Sequence, residues 1–102
     1  MHETLYQVLL PLRASDLSAS DVLDRVREVA GPGATPSLAV FYRCLKSGMD
    51  RGWLEIVGAD TSGRGRPNRI YRLSPAGHRA VEKEARRLHA LATLGLGEAT
   101  AD

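Results

Sequence analysis

Apolar positions recur along this chain in four helical registers and one alternating one. Leu5, Val8, Leu9 and Leu12 fall on or near one side of a helix starting at Glu3, and Pro11 predicts that this helix is short or ends near Leu10. Val22, Leu23, Val26 and Val29 repeat at helical spacing, while Asp24, Arg25, Arg27 and Glu28 face water. Ser18 is the predicted N-cap of this second helix, with Asp21 three residues on, and Gly31-Pro32-Gly33 is its stop. A third helix is predicted over 36–51, with Thr35 as cap, Pro36 in the first turn and Gly52 as its end. Its buried stripe is Leu38, Phe41, Leu45 and Met49. Gly48 inside that helix costs about 1 kcal/mol relative to alanine, so packing must hold the turn.

Alternation then takes over. Leu54 and Ile56 point inward on one strand, Tyr71 and Leu73 on a return strand, which predicts a hairpin over 54–73. Ser74-Pro75 repeats the cap-then-proline signal and opens a fourth helix to about Leu94, roughly 30 Å long. Val81, Ala85, Leu88 and Ala92 form its stripe, widened by Leu91, and a small core need not cover all of it. The uncovered part is a candidate dimerisation surface.

With 102 residues the chain is one domain at most, burying roughly 60–65% of its unfolded surface. A hydrophobic content of 43% excludes global disorder. Cys44 is the only cysteine, so an intrachain disulfide and a cysteine zinc cluster are both excluded; a buried, inert thiol is the favoured reading over a redox sensor. No secretory pattern and no apolar run near 18 residues is present, so the expectation is a cytoplasmic protein without a membrane partner. His2, His78 and His89 lack metal-ligand spacing, no nucleophile elbow occurs, and Gly31-Pro32-Gly33 lacks the ending of a phosphate loop. The chain therefore reads as no enzyme, with no cofactor and no metal.

Charge is unevenly placed. Residues 1–42 carry three arginines against five carboxylates, a balance of −2, whereas residues 43–72 carry seven cations against three carboxylates, a balance of +4. The positive field thus falls on the third helix and the hairpin, as a DNA footprint would. An α-helix followed by a basic hairpin is the layout of a winged helix-turn-helix. The fold class is α+β, mostly α: three N-terminal helices, a two-stranded wing and a C-terminal helix. Residues 1–74 form the DNA-binding domain, 75–94 the dimerisation helix, and 95–102 a disordered tail.

On the third helix, Ser37, Val40, Tyr42, Arg43 and Lys46 are the candidates for base or phosphate contacts. In the wing they are Arg64, Arg66, Asn68 and Arg69, because arginine is drawn to narrow minor grooves and glycine permits close backbone approach. Arg69 is the better phosphate candidate of the two arginines at the wing base, the other being Arg72. The competing readings are a solvated helix face and a solvated basic turn. Trp53 reads as a core plug rather than a ligand stack. The dimerisation candidates are Leu5, Val81, Leu88, Leu91 and Ala92.

Phe41-Tyr42-Arg43-Cys44-Leu45-Lys46, Asp50-Arg51-Gly52-Trp53-Leu54-Glu55, Gly65-Arg66-Pro67 and Tyr71-Arg72-Leu73-Ser74-Pro75-Ala76-Gly77 together resemble the PadR-like transcriptional regulators. The likeness covers about residues 35–90 and is specific in combination rather than in any one piece. Its short closing helix looks like the smaller subgroup, in which that helix and the first make a two-fold dimer. The resemblance implies a dimeric repressor on double-stranded DNA, with a small-molecule effector among its conceivable partners. Two departures bear on the effector site and helix packing: Ala19-Ser20 stands where the family carries Gly-Tyr, and the proline opening the recognition helix is shifted to Pro36. No aromatic residue follows Pro75, which argues against an aromatic-sandwich pocket at a dimer interface. The rival function is a winged-helix adaptor that binds proteins without sequence-specific DNA binding.

Overall fold

The computed structural model describes residues 1–63, 65 and 67–97. Helix α1 (Glu3–Leu9) runs into a 3-10 turn (Leu10–Arg13), followed by strand β1 (Leu17–Ser18), α2 (Ala19–Ala30), α3 (Leu38–Asp50), β2 (Leu54–Asp60), β3 (Asn68–Leu73) and α4 (Pro75–Leu96). The strands make one antiparallel sheet in the order β1-β3-β2. This is the expected mostly helical α+β winged helix, with four α-helices.

Local chemistry explains most boundaries. Pro11 tightens the chain into the 3-10 turn instead of ending the helical path outright, and Leu12 stays buried. Ser18 caps α2 by accepting the Asp21 amide at 3.2 Å, and Ser74 caps α4 by accepting the Gly77 amide at 3.0 Å. At the end of α3, Gly52 takes φ +75°, its N–H donates to the Met49 carbonyl, and the Trp53 N–H donates to the Gly48 carbonyl. That pair of bonds is a Schellman motif, the reason the helix stops at this glycine.

Several expectations are corrected. The cap of α3 is Ser37, whose hydroxyl accepts the Val40 amide at 3.2 Å, so the helix begins at Leu38. Thr35 lies two residues before that cap, and its hydroxyl donates back to the Gly31 carbonyl at 2.8 Å, within the turn that precedes the helix. Leu38 is then the first helical residue and 56% exposed, outside the core. Val29, in the last turn of α2, is 74% exposed and also outside the core. Ile56 is 41% exposed because β2 keeps only Leu54 under the helices before projecting, with a register shift between Ile56 and Gly58. Helix α4 continues to Leu96 and ends at Gly97 in the left-handed region, so Gly95 and Leu96 are not tail; residues 98–102 lie outside the described residues. Strand β1 has no counterpart among the predicted elements, since two residues are too few to show alternation.

The core gathers Leu5, Val8, Leu9, Leu12, Val22, Val26, Phe41, Leu45, Leu54, Tyr71, Leu73 and Val81, with Trp53, Met49 and Cys44 packed partly against it. Gly48 is buried against Leu54 so closely that a Cβ would meet the Leu54 Cδ1 at 2.8 Å, which is the packing its helical position needed. Leu5 and Val81 are consumed by this core, and that removes them from any surface the single chain can offer a second copy.

Glu84 is a buried carboxylate on α4. Arg87 donates to it from Nε at 3.1 Å and from Nη2 at 2.6 Å, and the Met1 ammonium lies at 3.4 Å. Hydrogen bonding from Arg87 foremost holds the Glu84 carboxyl down at about 2, against an ordinary 4.5. A depressed folded-state value stabilises the fold fully above the ordinary value and progressively less below it. The melting-temperature difference between wild type and Glu84→Gln should therefore be constant above about pH 5 and shrink between 4.5 and 2. A thermal melt series across that range checks it; a difference that does not vary with pH would contradict the ion pair.

Candidate nucleic-acid interface

Tyr42 of α3, the start of α2 and the β2–β3 wing face a common space. They bound a concavity of about 960 Å³ that Tyr42 enters from α3, Ser20 from α2, and Asn68, Arg69 and Tyr71 from β3, with Asp60 and Ser62 near the wing tip. Burial foremost pushes the Tyr71 hydroxyl above its usual value; Arg69 partly offsets this and Tyr42 adds to it.

Tyr42 is exposed and meets Phe41 edge to face, ring centroids 5.2 Å apart, so the buried ring braces the exposed one. Arg43 is exposed, next to the half-buried Val40 and Cys44. Lys46 is exposed but donates to Asp50 at 2.9 Å. Ser37 is committed as the α3 cap, and the Asn68 side-chain oxygen accepts the Ser20 amide at 3.4 Å. Arg69 is exposed on β3. Arg64 and Arg66 lie outside the described residues.

The cations of 43–72 are not equivalent. Arg51 lies over the Trp53 ring, 5.1 Å from its centroid, with its Nε donating to Ser47. Arg72 donates to both oxygens of Asp16, which raises its already high value, and Glu55 across the strand adds to the effect. Lys46, Arg51 and Arg72 are therefore partly spoken for, while Arg43 and Arg69 form no ion pair among the described residues. Sequence counting could not separate these groups, because Asp16 lies 56 residues from Arg72.

At the wing tip, Asp60 accepts both the amide and the hydroxyl of Ser62, at 2.9 and 2.6 Å. Those bonds hold the Asp60 carboxyl below the usual carboxylate range. They fold the turn locally, at the cost of a fixed negative charge near the cationic tip. Burial raises the Cys44 thiol above its ordinary value, more than Arg43 lowers it, which favours the protonated thiol at neutral pH.

Among the described residues no helix is long and apolar enough to cross a membrane. No family model matches the chain, and no curated protein matches it in sequence. The solved structures do match in fold. A PadR family transcription regulator from Clostridium difficile R20291 aligns with TM-score 0.77 at 14% identity, over 91% of this chain and 94% of that one. The circadian clock associated protein Pex from Anabaena aligns with TM-score 0.67 at 22% identity, over 91% and 80%. Bacillus subtilis PadR in complex with operator DNA aligns with TM-score 0.71 at 22% identity, over 83% of this chain and 48% of that chain. The chain spans about half the length of that operator-bound protein. The fold is that of the PadR-like winged-helix proteins.

Proposed function

We propose that this chain is a PadR-like transcriptional regulator, a cytoplasmic homodimeric repressor that binds double-stranded DNA sequence-specifically. The observation that carries the reading is that exposed Tyr42 of α3, next to exposed Arg43, shares one concavity with Arg69 of the wing, which forms no ion pair among the described residues. Helix α3 enters the major groove, where Arg43 reaches a guanine edge and Val40 a thymine methyl; Tyr42 and Lys46 lie against the backbone. Arg69 holds a phosphate beside the wing, and Arg64 and Arg66 reach the flanking minor groove. The likeness to a protein solved with operator DNA supports this assignment.

The dimer is argued from α4. Only the first half of its 22 residues reaches the core, at Gly77, Val81 and Glu84. Leu91, Leu94 and Leu96 are exposed, the last two at 71% and 74%, and Leu88 is half-buried. The radius of gyration, 15.3 Å, exceeds the roughly 13 Å of a compact domain of this size. An apolar helix end held away from its own core is suited to a second copy, through Leu88, Leu91 and Ala92. Two-fold symmetry would set half-sites about 34 Å apart.

Selection of duplexes from a random pool tests the reading: a palindromic motif is expected, and recovery of no motif would sink it. On the selected duplex, Arg43→Ala should cost about 1–3 kcal/mol and relax the preference at one base position. Arg69→Ala should weaken every sequence alike and lower the log–log salt slope by about 0.9. Anisotropy titrations over a salt series separate the two effects.

A further inference from the structure

The segment from Asp16 to Ser20 is fastened to β3 at three places. Its backbone pairs Leu17 with Tyr71 and Ser18 with Ile70. At one end of β3, Arg72 donates to Asp16 from Nε at 3.2 and 3.3 Å and from Nη2 at 2.9 Å. At the other end, the Asn68 side-chain oxygen accepts the Ser20 amide at 3.4 Å. Ser18 also caps α2, so the same five residues fix the start of that helix and the root of the wing. Beyond them the hairpin projects, with β2 exposed at every residue after Leu54.

We propose that Asp16, Arg72 and Asn68 are positioning residues that set the wing's inclination to α3, with Arg72 acting through Asp16 and not on a phosphate. This rests on the DNA-binding reading above. Position and plain electrostatics predict opposite signs for the loss of Asp16. A carboxylate near a polyanion repels it, so deleting that charge would tighten binding if repulsion were its only effect. It would also release Arg72 as a new phosphate contact and raise the salt slope by about 0.9. If Asp16 instead pins β3, its loss lets the wing sample a wider range of angles, and binding weakens while the slope stays the same. The pair is half exposed, so the expected loss is modest, about threefold to fivefold.

The test uses the full chain and the duplex selected from the random pool, with Asp16→Asn compared with Asp16→Glu, which keeps a carboxylate for Arg72. Anisotropy over a salt series is read beside amide hydrogen exchange. Asp16→Asn should bind about threefold to fivefold more weakly at unchanged slope. Its Ile70 and Tyr71 amides should exchange faster, those of Val26 and Leu45 should not, and Asp16→Glu should restore both readouts. Tighter binding or a steeper slope in Asp16→Asn overturns the proposal, as does a variant indistinguishable from a wild type that binds. A wild type that binds no duplex overturns the DNA reading, and this inference with it.

Discussion

Phe41→Ala should destabilise the domain by about 3–5 kcal/mol, the range for removing a fully buried aromatic side chain. Phe41 is completely buried and among the largest side chains in the core, where Leu9, Leu45 and Val8 are as fully enclosed. A domain of this length has about 5–15 kcal/mol in total, so the loss is a large fraction of its stability. The midpoint should drop by roughly 4–8 °C for each kcal/mol lost. Trp53 is the only tryptophan and packs partly on the core, so its fluorescence in a urea titration reports the transition. Phe41→Leu retains most of the volume and should cost about 1 kcal/mol. Phe41 faces the core while its neighbours Tyr42 and Arg43 are exposed, and the Phe41 ring braces that of Tyr42, so the same cavity loosens the seat of the face proposed to read DNA. A melting midpoint for Phe41→Ala within a few degrees of wild type would mean that α3 is not held as described.

Gly77→Ala is the second large effect, and its direction opposes helix propensity. In an exposed helix this change would stabilise by about 1 kcal/mol. Here an added Cβ would run into the carbonyl oxygen of Trp53 and lie 3.0 Å from Leu73 Cδ2. The oxygen belongs to the backbone and is already the acceptor of the Ser74 amide at 3.0 Å, while the Ser74 hydroxyl donates to the Gly52 carbonyl at 2.5 Å. Neither the α3–β2 turn nor the α4 N-terminus can move without breaking those bonds. We expect a loss of about 3 kcal/mol, at the upper end of overpacking costs. Chemical denaturation of the variant decides the matter, and a stabilised Gly77→Ala would show that the turn does not press on α4. Gly48 offers the contrast: its added Cβ would meet side-chain atoms of Leu54, which can yield in a way that a carbonyl cannot.

Much of this was legible beforehand because it depends on neighbours a few residues apart. Ser18 and Ser74 cap helices through amides three residues on, and Gly52 ends α3 because its positive φ suits a residue without Cβ. Phe41, Leu45 and Met49 share a face at steps of four, and the hairpin alternates around a glycine-rich tip. The cluster of cations on 43–72 was equally a property of order along the chain. Thr35 with Pro36 behind it has the local pattern of a cap, but the fold gives that place to Ser37, whose hydroxyl accepts the Val40 amide, while the Thr35 hydroxyl turns to the Gly31 carbonyl.

The sequence by itself therefore determined the four helices and the hairpin, their order, the likeness to PadR-type regulators and where positive charge collects. The tertiary structure alone decided which apolar residues lie inside, placing Leu5 and Val81 in the core and leaving Leu38, Val29 and Ile56 outside. It also decided which cations remain available, since Asp16 claims Arg72 and the Trp53 ring takes Arg51. Burial and pairing are set by where whole elements end against one another, and by partners such as Asp16 and Arg72 that only folding brings together. Periodicity carries the direction a side chain takes from its own helix or strand, but not whether another element is there to meet it.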